Sequence, residues 1–231
     1  MTTKRLFSDW NKEDLEETFH LTRVYQHSGL DNWFAKAETY QLTAFEHELV
    51  SNLQAVTITN IDAWNEVELV EYFIGPIFAC VNFNTPEFKI FSERHLVGIV
   101  GEYELSGEPD AMIATGHYSP KIPYFCFHEY KKENEPKGDP AAQALSAMVA
   151  AQALNPRPHP IYGLYVVGKM WHFMILHEQT YCITVGHNAL KDELFEIFKI
   201  LKALKLLLLD MAKDDVEADG VTQSPMMFSQ I

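Results

Sequence analysis

The sequence predicts an α/β domain with a helical extension at the N-terminus. Three observations point that way. Apolar positions recur at helical spacing through residues 11 to 78. From Glu87 the pattern changes to short runs of β-branched and aromatic residues. Between the strand candidates lies a helix with almost no polar side, which has to be covered all round and so belongs in the core. With 231 residues, 47% of them hydrophobic and 13% aromatic, the chain can bury a sizeable core, and global disorder is excluded.

Each element follows from local chemistry. Leu15, Phe19 and residues 21 to 24, then Leu42, Phe45, Leu49 and Leu53, give two amphipathic helices, separated around Ser28-Gly29. Asp62 is the expected N-cap of a further helix reaching about Phe78, which Pro76 should kink or end. Strands are expected over residues 88 to 91, 96 to 100, 110 to 114 and 124 to 131, with a turn at Ser106-Gly107-Glu108-Pro109. Asp139 as cap and Pro140 in the first helical position then open the apolar helix, which stops before Asn155-Pro156. Three strands (161 to 167, 170 to 176, 181 to 185) and an amphipathic helix from about Ala189 to Met211 complete the core. The domain reading is 1–60 helical extension, 61–211 α/β domain and 212–231 an acidic, disordered tail.

Charge and cysteines narrow the function classes. With 32 acidic and 18 basic residues the net charge is −14, which argues against holding nucleic acid by a general basic coat. Cys80, Cys126 and Cys182 form no CxxC pair, and each sits in an apolar run, so neither a disulfide framework nor a zinc knuckle is expected. No signal-peptide stretch and no apolar run long enough for a bilayer occurs, so the expectation is a reduced cytoplasmic setting without membrane contact.

The chemistry concentrates near one strand. Alternation along 124 to 131 puts Phe125, Phe127, Glu129 and Lys131 on one face, so an acid and a base stand at the rim of the core. Asp110 begins the neighbouring strand candidate, and two carboxylates at adjacent strand ends can hold Mg²⁺. A lysine beside them can orient or deprotonate an attacking water, or stabilise charge that develops on phosphate.

Pro109-Asp110 followed by Glu129-Tyr130-Lys131 resembles the motif of the PD-(D/E)XK nuclease superfamily, whose members share the restriction endonuclease-like fold. Gly138-Asp139 with Gln143 resembles the glutamine-bearing helix of several branches, and Asn65-Glu66-Val67-Glu68-Leu69 with Phe73 to Ile77 looks like their first, acid-bearing helix. The resemblance covers about residues 62 to 185. It implies a Mg²⁺- or Mn²⁺-dependent nuclease acting on DNA, with RNA also open as substrate. Asp110, Glu129, Glu66 and the Tyr130 carbonyl would be ligands, Lys131 would serve the attacking water, and Gln143 would tune the site. Restriction-type nucleases often act as dimers, so a homodimer is a candidate assembly, and the apolar stretch Leu194 to Leu209 fits either core or interface.

Helical spacing chooses between the two acids of the first helix. Glu66 shares a stripe with Leu69, Val70, Phe73 and Ile77, whereas Glu68 lies with Glu71 and Tyr72. An acid on an apolar face needs a partner, which selects Glu66. Plainer readings stand beside these. Glu129-Lys131 as a surface ion pair is one, Asp110 as a turn residue another, and Gln143 as a first-turn backbone partner a third. The histidines lack HxxxH or HExxH spacing. Tyr162, Tyr165, Trp171 and Phe173 read as strand packing. Gly163 to Lys169 has P-loop spacing, but Met170 stands where a hydroxyl is needed. Two alternatives to a nuclease remain, a catalytically inactive nuclease-fold assembly module and an acidic DNA mimic.

Overall fold

A computed structural model describes residues 2–132 and 138–218. The chain starts with β1 (Thr3–Leu6), a 3₁₀ turn, and α1 (Lys12–Phe19), whose N-cap Asn11 accepts the Asp14 N–H at 2.9 Å. Next come β2 (Thr22–Val24), α2 (Ser28–Thr39) and α3 (Ala44–Asn60), the last opened by a Thr43/Glu46 capping box. α4 (Glu66–Leu69) runs through a π-helical turn, Val70–Ile74, into α5 (Gly75–Val81). Then follow β3 (Lys89–Ser92), β4 (Leu96–Val100), β5 (Tyr103–Gly107), β6 (Ala111–Thr115), β7 (Lys121–Lys131) and α6 (Pro140–Leu154). The last elements are β8 (Ile161–Val167), β9 (Met170–His177), β10 (Thr180–Ile183), β11 (His187–Asn188) and α7 (Glu193–Ala218).

The result is a mixed α/β fold with a mixed sheet flanked by helices. Its strand order is β2-β10-β9-β8-β7-β6-β3, with β11 added on β9, and a smaller sheet runs β1-β5-β4. β7 and β8 are parallel, joined by α6 in a βαβ crossover, while β6–β7 and β8–β9 are antiparallel. One core layer packs α2, α5 and α7 on one face of the large sheet, and the other fills the space between its opposite face and the small sheet. α6 lies in that second space. A Cβ on Gly98 of β4 would come within 2.8 Å of Ala150, and one on Gly163 of β8 within 2.7 Å of the Met148 sulfur. Sheets pressed this closely on both sides explain why the helix is alanine-rich and apolar all round.

Several expectations are corrected. Residues 1–60 are not a purely helical extension, because β1 pairs in parallel with β5 and β2 with β10, tying the N-terminus into both sheets. Both strands are too short and too polar to show alternation, and pairing with distant partners creates them. Ser28-Gly29 opens α2 rather than separating helices, with His27 as cap. Asn65, not Asp62, caps α4, through a reciprocal box with Glu68. Pro76 does not end the helix. Gly75 N–H bonds to the Val70 carbonyl across the π turn, and the proline then enters the first turn of α5, where no N–H is required.

α7 extends to Ala218, so residues 212–218 are helical rather than tail, and 219–231 lie outside the described residues. Glu133, Glu135 and Lys137 lie outside them as well. Leu194, Phe198, Leu201, Leu204 and Leu208 of α7 are buried, so its apolar stripe serves the core. Among the described residues no helix is long and apolar enough to cross a membrane.

Candidate functional site

The candidate residues meet at one end of the large sheet, where β6 stops one residue short of Asp110. The antiparallel register Ala111↔His128 leaves Asp110 level with Glu129. With the ladder over, the Tyr130 amide finds no strand partner on that side, and the Asp110 carboxylate accepts it at 2.6 Å. On the other side β7 continues in parallel beside β8 to Lys131↔Val167. β7 is thus a central strand, and Glu129, at 5% exposure, is not half of a surface ion pair.

Lys131 draws the other groups together. Its Nζ donates to Glu129 Oε1 at 2.7 Å and to the Tyr130 carbonyl at 3.0 Å, and it lies 3.9 Å from Glu66 Oε1. Glu66 reaches it from the first turn of α4 with a side chain 46% exposed. It is therefore a rim residue, not one embedded in the apolar stripe. Glu68 is held in the Asn65 capping box. Among the site residues, Gln143 shares a hollow only with Glu129, and its Oε1 is buried without a hydrogen-bond partner.

The face assignment along β7 needs one correction. The register jumps between Ile113↔Cys126 and Ala114↔Tyr124, so Phe125 is the extra residue of a β-bulge. Phe125 therefore packs in the layer of Phe88 and α5, opposite Phe127. Beyond the bulge, alternation resumes and puts Glu129 and Lys131 on one face and His128 and Tyr130 on the other.

The electrostatics are those of a crowded acidic site. Burial, reinforced by repulsion from Asp110, pushes the Glu129 carboxyl up to about 7 despite its bond to Lys131. Burial also raises Asp110, against the Tyr130 amide and the Lys131 charge, which lower it. Burial alone would lower Lys131, but its hydrogen bond to Glu129 and the surrounding carboxylates raise it, so the amine stays charged. Behind them His128, buried and stacked on Phe78 with ring centroids 4.9 Å apart, is held neutral, its pKa lowered to about 3 by burial.

Two hollows flank this edge. Asp110, Glu66 and Tyr130 line one of about 480 Å³, while Glu129 and Gln143 line another of about 360 Å³ together with His95 and Pro109. Glu93 and His95, on the corner between β3 and β4, border one hollow each, and the Glu93 N–H bonds to the Asp110 carbonyl at 3.2 Å. Sequence reasoning missed this corner. The charged run Glu93-Arg94-His95 between two strands was the available signal.

Whether the site suits Mg²⁺ can be judged from its donors. Asp110, Glu129, Glu66 and the Tyr130 carbonyl offer only oxygen, as a hard cation requires, and the raised carboxyl groups carry repulsion that a divalent charge would relieve. Among the described residues no three His, Cys, Asp or Glu side chains form a metal-holding group, so a cation here would rest on two carboxylates and a backbone carbonyl. The donor chemistry fits a hard cation, while Asp110 and Glu129 border different hollows. No protein-family description matches this sequence, and no curated protein resembles it closely enough to be counted.

Proposed function

We propose that the protein is a metal-dependent nuclease of the PD-(D/E)XK type, with a restriction endonuclease-like core and DNA as substrate. The observation that carries this reading is the meeting of Asp110, Glu129, Glu66 and the charged Lys131 amine at the ends of adjacent strands. Asp110, Glu129 and the Tyr130 carbonyl would hold Mg²⁺ or Mn²⁺, with Glu66 completing the set directly or through water. The ion supplies Lewis-acid polarisation of the phosphate and of a bound water.

The protein's own groups do the rest. A lysine kept protonated by its carboxylate neighbours is a poor base, so Lys131 orients the attacking water and balances negative charge that grows on the phosphate. Gln143, which lines the same hollow as Glu129 and has a buried, unpartnered Oε1, fits a role in positioning that carboxylate's surroundings. Incubation with plasmid, linear and single-stranded DNA, with Mg²⁺ or Mn²⁺ and with chelator, tests the reading. Cleavage should require the metal and fall by about 10²–10³ in Lys131→Ala and Asp110→Ala. Cleavage unchanged in these variants would sink it.

One observation favours the second reading, a catalytically inactive nuclease-fold assembly module. The Lys131 ammonium already contacts Glu129, the Tyr130 carbonyl and, at longer range, Glu66, supplying a cation of its own. Absence of Mn²⁺ binding in calorimetry would select this alternative. An acidic DNA mimic calls for carboxylates spread over an exposed face, and burial of Glu129 speaks against it.

A further inference from the structure

We propose that the larger hollow accepts one unstacked nucleobase beside the scissile phosphate, and that this base carries an exocyclic amino group. The preferred substrate is then single-stranded nucleic acid or a frayed end. This deepens, and rests on, the phosphodiesterase reading above.

The hollow shares Asp110, Glu66 and Tyr130 with the candidate site, so anything seated in it lies next to the reacting centre. Its volume of about 480 Å³ is enough for a base and its sugar, and its floor of Val70, Ile74, Phe78 and Ile90 is apolar. Phe78 is held in place from behind by its stack on His128. Such a floor offers a flat heterocycle what it loses on leaving a stack, and a base still paired in a duplex cannot reach it.

The rim sets the chemistry of the guest. No lysine or arginine lines the hollow, so phosphate is not welcome inside it and stays at the edge, with Lys131. Glu71 and Glu93 stand at the mouth as exposed carboxylates, which only accept hydrogen bonds. Adenine, cytosine and guanine present an exocyclic amino donor to such a rim, whereas thymine and uracil offer a single N3–H flanked by two carbonyls that repel it. Glu93 is also held at φ 49°, a left-handed conformation rare outside glycine, and its N–H bond to the Asp110 carbonyl fixes the corner there. The strained residue thus stands where the base's edge would meet the protein.

The test uses the full chain with fluorescent dA, dC and dT oligonucleotides and a matched duplex, with Ca²⁺ replacing Mg²⁺ to suppress turnover, read by anisotropy. Single-stranded dA and dC should bind about 10-fold more tightly than dT or the duplex. Ala79→Trp, an exposed position on the lining that needs no core repacking, should remove this preference with Tm unchanged. Glu93→Gln, which keeps size and turns an acceptor into a mixed donor, should bring dT up to dA. Equal binding of all ligands, or a preference that survives Ala79→Trp, would overturn the inference. A separate Mg²⁺ cleavage arm with Lys131→Ala reports on the nuclease reading alone. Metal-dependent cleavage without base preference therefore rejects only the hollow, and base preference without cleavage rejects only the hydrolysis.

Discussion

Two glutamates in this molecule are almost equally hidden, and each touches a lysine, yet they behave in opposite ways. Glu46 on α3 has a side chain 8% exposed and Lys202 at 2.8 Å, while Glu129 on β7 is 7% exposed with Lys131 at 2.7 Å. Burial acts against ionisation at both. At Glu46 it is overcome by the Lys202 bond, the Thr43 amide at 2.9 Å and the Tyr40 hydroxyl at 2.9 Å, which together bring the carboxyl down to about 2. At Glu129 the carboxyl is enclosed more deeply, and burial, reinforced by the neighbouring Asp110, outweighs its one shared lysine, so the carboxyl rises to about 7. The first arrangement is satisfied and holds α3 to α7. The second is left with negative charge that its one lysine does not balance, which is the condition the proposed cation site requires.

That contrast can be broken by exchanging the same substitutions between the pairs. The largest effect belongs to Lys131→Met, which should cut cleavage by about 10²–10³ while Tm stays within a few degrees. Lys202→Met should do the reverse. It strands Glu46 in the interior at a cost of about 3–5 kcal/mol, lowering Tm by roughly 6–20 °C by calorimetry and sparing activity in the surviving fold.

Acid titration comes next. The folded pKa of Glu46 lies below its ordinary value, so its contribution is present above about pH 4.5 and is lost as pH falls toward about 2. Urea midpoints of wild type and Glu46→Gln should therefore converge over that window. Glu129 has the opposite sign. Its folded pKa is raised, so in chelator its ionisation costs stability as pH rises from about 4.5 to about 7. Glu129→Gln should gain on wild type across that range. The smallest effect separates the neighbouring acids of α4. Glu68→Ala should lose only the capping box, about 0.5–1 kcal/mol, whereas Glu66→Ala should leave stability alone and weaken divalent-cation binding.

Much of this was legible in the residue pattern, for reasons that are themselves local. Asp139-Pro140 signals the start of α6, and unbroken apolar character signals its burial. The alternation of Glu129 with Lys131 depends only on the pleat. What escaped depends on distant partners. β1 and β2 exist because β5 and β10 lie beside them, and the Phe125 bulge is a feature of how β7 pairs with β6. The site was read less completely than its residues. The strand pattern grouped Asp110, Glu129 and Lys131, and the family resemblance added the acid of the first helix. It gave no sign that Asp110 would be taken by the Tyr130 amide, or that the two motif acids would line hollows on opposite sides of a strand. Glu66 was chosen over Glu68 for an apolar setting, but the structure places it on the rim beside Lys131 and engages Glu68 in a cap.

The difference between the two glutamates is tested most directly by calorimetric titration of Mn²⁺ into the wild-type protein, Glu129→Gln and Glu46→Gln at neutral pH. Binding should be present in wild type, lost in Glu129→Gln and retained in folded Glu46→Gln. No binding in wild type, or equal binding in Glu129→Gln, would contradict the assignment of Glu129 as the receptive carboxylate.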